Sequence, residues 1–259
     1  MGHIRLDRLP KTRRWKEVIE LLHQGRSIDE LARATFYAAQ TGLSRIPIDA
    51  GFTQTLTVIF GFIDALQSKT PVTSLRQKGF AVPTDASLFD YVGSFKARAE
   101  DAAAAVHARS DIAEIARDSF SQVLLKYAGS SLQTLFGVDS TDAKQALRSN
   151  LKGKPLGSTM HEFFATFTQR YLNYYLGREL PNHVGTGKAF SNVDGHSEFN
   201  KAFDLHVRQT VRIADEFTPG WFGKARYEER LSHKDVSRFA HTAFKKIRSE
   251  FRRGGEANG

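Results

Sequence analysis

The chain contains no cysteine in 259 residues. That absence removes disulfides, thiolate metal sites and cysteine nucleophiles together, and it fits a reducing compartment. Long apolar runs are missing too: no window approaches the roughly eighteen uncharged apolar residues of a spanning helix, so no membrane segment is expected. The opening MGHIRLDRLPKTRRW is basic but is followed by no apolar stretch of signal-peptide length. A myristoylation pattern on Gly2 needs Ser or Thr at position 6, where Leu6 stands. A soluble cytoplasmic protein is the expectation. Catalytic signatures are equally sparse. No serine sits in G-x-S-x-G. VGTGK at 184–188 fails as a phosphate loop, because Lys188 is followed by Ala189 and Asn182 occupies the place of the first glycine.

What is present is a helical period with frequent caps. Hydrophobic residues make up 41% and aromatics 11% of the chain, enough for a sizeable core. Thr12 precedes an apolar stripe of Trp15, Val18, Ile19 and Leu22, with Gly25 as a stop. Ser27 and Glu30 form a capping box for a second helix ending at Gly42. Tested as a DNA-reading helix-turn-helix, this pair fails: the turn glycine is expected about four residues after Ala32, and Phe36 stands there. FTQTLTVIFGFIDALQ reads as helix by length, and a short helix follows Pro71. An alanine-rich helix lies within 86–108. Asp111 with Glu114 reads as a capping box for a helix closed by Gly129, and a weaker helix is expected at 140–149. KGKPLGS reads as a linker, which makes 150–158 the candidate subdomain boundary. Thr159 and Glu162 read as the box opening an aromatic helix, Gly177 to Ser197 as a long loop, and about 198–217 as a helix broken by TPGW. The last helix starts at Ser232 and leaves 254–259 as a flexible tail. No strand alternation and no internal repeat is visible. The expected class is all-α: an irregular bundle of about eight helices in one domain, with two subdomains as the variant.

Charge is the strongest signal. The formal net charge is +9, and it sits at the two ends. Residues 1–26 hold seven basic against three acidic residues, and 224–259 hold ten against five, while the middle holds 20 of each sign. On the last helix Val236, Phe239, Ala240, Ala243 and Ile247 form an apolar face, and Arg238, His241, Lys245, Arg248 and Arg252 line the opposite one. Lysines and arginines on one helix face can neutralise phosphates, so these five, with Arg13, Arg14 and Lys188, are the candidate contacts to nucleic acid or an acidic partner. Trp221, Phe222 and Tyr227, in the expected loop 218–227, are candidate interface aromatics. His183, Asp194 and His196 fit no compact metal signature, and His206 falls on an apolar face, so no metal or other cofactor is assigned.

These residues lead to a non-catalytic basic subunit that binds nucleic-acid backbone, or a larger nucleic-acid-handling assembly, through its ends, without reading base edges. One alternative is a protein–protein scaffold subunit of a bacterial multi-protein system such as a defence system, which rests on no single residue. The enzymatic alternative is a metal-dependent nuclease using the loop histidines.

Overall fold

A computed structural model describes Leu6 and residues 10–131, 140–177 and 193–256. Among them are eleven α-helices, one 3₁₀ turn and no strand, which bears out the all-α class and raises the helix count. Helix α1 (Arg13–His23) begins where Thr12 accepts a hydrogen bond from the Trp15 amide. Helix α2 (Ile28–Arg45) begins at the expected Ser27–Glu30 box. It runs past Gly42, because that glycine serves packing: a Cβ there would lie 2.6 Å from the Tyr171 hydroxyl. A 3₁₀ turn at Ile46–Ile48 carries Pro47 into α3 (Ala50–Leu66), capped by Asp49. Helix α4 (Pro71–Gln77) is short. Helix α5 (Leu88–Ala105) opens on a Ser87–Asp90 capping box.

Several boundaries differ from the sequence reading, each for a local reason. Helix α6 (Asp111–Ser131) is capped by Ser110, whose Oγ accepts from the Ala113 amide, while Asp111 accepts from the Leu6 amide instead. Helix α7 is Ser140–Asn150. The expected linker KGKPLGS is mostly helix, since α8 (Gly153–Leu176) starts there with Pro155 in its first turn, a position that tolerates a missing amide proton. Thr159 and Glu162 therefore lie inside α8: the Thr159 hydroxyl donates to the Asn150 carbonyl, and Glu162 receives Arg208 and Lys126. Helix α9 spans Val193–Thr210 and α10 spans Ile213–Tyr227, so the expected helix at 198–217 is two helices meeting at Val211 and Arg212.

TPGW does not break α10. Pro219 sits within it, and the Asp215 carbonyl that loses its helical donor lies against Gly157 of α8, where a Cβ would come within 2.4 Å. Only a residue without a side chain lets the two backbones approach this closely. Helix α11 (His233–Glu256) is capped by Ser232 and is assigned two residues past Gly254.

The buried centre is built on α3 and α8, which contribute Phe52, Phe60, Phe62, Phe163, Phe164 and Phe167, all fully buried. Helix α8 packs against α6, α9 and α10, and α3 against α5, α6 and α11. Aromatic contacts link the layers: Phe52 meets Phe167 at 5.1 Å and Phe244 at 5.5 Å, and Phe60 meets Phe239 edge-on at 5.0 Å. Each such ring contributes about 1.5–3 kcal/mol by leaving water. Helix α2 lies at the margin of this core, with α1, α9 and α11 packed on it. That arrangement brings the two basic ends of the chain onto one helix.

Candidate functional site

Helix α11 is anchored by the apolar face that the sequence marks. Val236, Phe239, Ala240, Ala243 and Ile247 are buried, joined by Phe244 and Phe251. Phe251 stacks on Phe36 of α2 at 4.6 Å, and the neighbouring Arg252 Nε donates to Gln40 Oε1 at 3.4 Å. Farther back along α11, Phe244 meets Phe52 at the start of α3, so α11 runs antiparallel to α2. The flank of α11 beside this apolar face borders α2 and the 3₁₀ turn along a seam.

A groove of about 470 Å³ opens on this seam, lined by Ser44 and Pro47 on one side and by His241, Phe244, Lys245, Arg248, Ser249 and Arg252 on the other. Four of the five residues of the expected basic stripe meet here, and among the described residues no carboxylate lines the groove. Arg238 lies outside it, 3.7 Å from Asp235 at the helix start. His241, Lys245 and Arg252 are exposed, and Arg248 is half-buried. The Arg248 Nε is cut off from solvent and has no hydrogen-bond partner among the described residues. Burial, and next the neighbouring Arg252 charge, push its pKa down. Among the described residues no carboxylate pairs with this cation. Arginine stays protonated under such a shift, so the site keeps its charge and an N–H donor with nothing to bind.

A second cavity, about 460 Å³ between α3, α5 and α6, shows the contrast. It is lined by Lys96, Arg109 and Arg117 but also by Glu100 and Glu114. Arg109 and Arg117 both pair with Glu100, and Lys96 lies 2.9 Å from Asp118. Its positive charge is compensated from within, although Arg117 Nε, like Arg248 Nε, has no hydrogen-bond partner among the described residues; in the α2–α11 groove the described residues provide no such carboxylates.

Of the N-terminal arginines, Arg14 reaches α2. Arg13 is exposed. Arg14 is half-buried, with its guanidinium carbon 3.8 Å from the centre of the Tyr37 ring; it donates to the Tyr37 hydroxyl at 3.0 Å and, at 3.5 Å, to the Tyr37 carbonyl. Tyr37, Gln40 and Ser44 are spaced at three, four and seven residues and share one face of α2. Sequence reasoning missed these three. The available signal was the place of Tyr37 and Ser44 off the buried stripe of Leu31, Thr35, Phe36, Ala39 and Leu43; Gln40 is buried with that stripe.

The other expected residues are dispersed. The segment 218–227 is helix, not loop. Phe222 is buried against Phe60, and Trp221 is partly buried 4.3 Å from Phe239, because both sit on the inward face of α10. Tyr227, at the end of α10, is 90% exposed. His183 and Lys188 lie outside the described residues, as do the side chains of Asp194 and His196, whose backbone belongs to the first turn of α9. His206 packs edge-on to Phe36. Among the described residues no three His, Asp or Glu gather as a metal site, and no single helix is long and apolar enough to cross a membrane. Compared with known proteins, the chain matches no family, no curated protein and no solved structure.

Proposed function

We propose that the protein is a non-catalytic subunit that binds nucleic acid by its phosphate backbone, with the α2–α11 groove as the contact surface. The observation that carries this reading is the groove's lining: Lys245, Arg248 and Arg252 stand in it with His241, and no carboxylate of the described residues lines it. Lys245 and Arg252, both exposed, offer charged donors to an anionic oxygen. Charge-assisted hydrogen bonds of this kind are roughly twice as strong as neutral ones. The stripe from Arg238 to Arg252 covers about 21 Å of helix, a length that spans several phosphates of a nucleic-acid strand.

Replacing Lys245, Arg248 and Arg252 together by Glu should abolish retention of nucleic acid at low salt while circular dichroism stays unchanged. Arg238→Glu alone, outside the groove, should weaken it only slightly. Absence of nucleic-acid binding by the wild type at low salt overturns the reading and leaves an acidic protein partner as the occupant of the groove.

A further inference from the structure

We propose that the partner is single-stranded, and that Tyr37 with Arg14 laid across it is the platform on which a base stacks beside the groove. The inference rests on the backbone-binding reading above and adds the strand type and the residue that selects it. Tyr37 remains 52% exposed although Arg14 lies over its ring, while its neighbours Phe36, Ala38 and Ala39 are buried. Its position is fixed. One turn along the same face stands Gln40, held by Arg252 of the groove, and a further turn on stands Ser44 of the groove wall. Tyr37 and Ser44 are therefore about 10 Å apart along α2, close enough for one strand to engage both.

The Arg14–Tyr37 pair has the two properties that strand binding uses. A flat π-surface accepts any base by stacking, and a guanidinium plane extends the stack while adding charge. In a duplex the bases are already stacked on each other and turned inward, so an exposed ring at the edge of a cationic groove gains nothing from one. A single strand offers phosphates to the groove and a free base to the ring at once. Stacking of this kind does not read sequence, which agrees with the lack of base-edge contacts expected of the stripe.

The test is fluorescence anisotropy with a short oligothymidylate, a duplex of equal length, and a single strand of the same length carrying abasic sugars. The wild type should bind oligothymidylate about ten-fold more tightly than the abasic strand. Tyr37→Ala should lower oligothymidylate affinity by about the same factor while leaving the abasic strand and the duplex unchanged, and Tyr37→Phe, which keeps the ring, should bind like wild type. Equal wild-type affinity for oligothymidylate and the abasic strand, or a preference for duplex, overturns the stacking proposal and leaves backbone binding standing. Binding to none of the three overturns both.

Discussion

Glu162 shows how single side chains hold the helices that frame the bundle. Its side chain is 7% exposed, yet it accepts from Lys126 of α6 at 2.8 Å and from both Arg208 terminal nitrogens of α9, while Arg208 Nε donates to Asp204 at 2.7 Å. Burial acts to raise the Glu162 pKa, but the Arg208 and Lys126 hydrogen bonds outweigh it and hold the carboxyl below the ordinary glutamate value. A carboxyl depressed in the folded state stabilises at pH values above its unfolded pKa, and that contribution disappears as pH falls through the folded pKa. Acid should therefore weaken the α6–α8–α9 junction below about pH 4. Glu162→Gln should cost about 2 kcal/mol near neutrality, toward the low end for a broken buried pair because Lys126 and Arg208 retain solvent. It should also flatten the acid limb of the thermal stability curve, which scanning calorimetry across pH measures directly. An unchanged acid limb would show that the network carries no pH-linked stability.

Helix ends were legible where one side chain decides them, and illegible where packing does. Thr12, Ser27 and Ser232 cap where the sequence places them, since an N-cap bond is local. Gly42, Gly129 and the TPGW stretch read as breakers by composition, but all lie within helices. Gly42 meets Tyr171 and Gly157 meets the Asp215 carbonyl, contacts spanning more than fifty residues of sequence that no local pattern announces. The two kinds of glycine make opposite predictions. Gly157→Ala forces a methyl against backbone that cannot move aside and should destabilise by about 1–3 kcal/mol. Gly93→Ala, on the exposed face of α5 with nothing within 4 Å of the new carbon, should stabilise by about 0.5–1 kcal/mol. Urea denaturation of the two variants beside wild type compares them.

Across the molecule, part of each basic segment meets on α2: Arg14 on Tyr37 and Arg252 on Gln40. The sequence shows two positive ends and a neutral middle, and it places Arg238, His241, Lys245, Arg248 and Arg252 on one helix face. It does not show that α1 and α11 pack on the same helix, because that depends on contacts such as Gln40 with Arg252, 212 residues apart. For the same reason Tyr37, Gln40 and Ser44 passed unnoticed, while Trp221 and Phe222 looked available and are turned toward the core. Gathering Lys245, Arg248 and Arg252 in one groove raises the local potential there. The most direct measurement is the affinity of wild-type protein for oligothymidylate as a function of salt. If Lys245, Arg248 and Arg252 each neutralise a phosphate, log affinity should fall against log salt with a slope of about −2. The Glu-substituted groove variant should show no measurable binding across the series. A slope near zero, or no binding by the wild type at the lowest salt, would contradict the account.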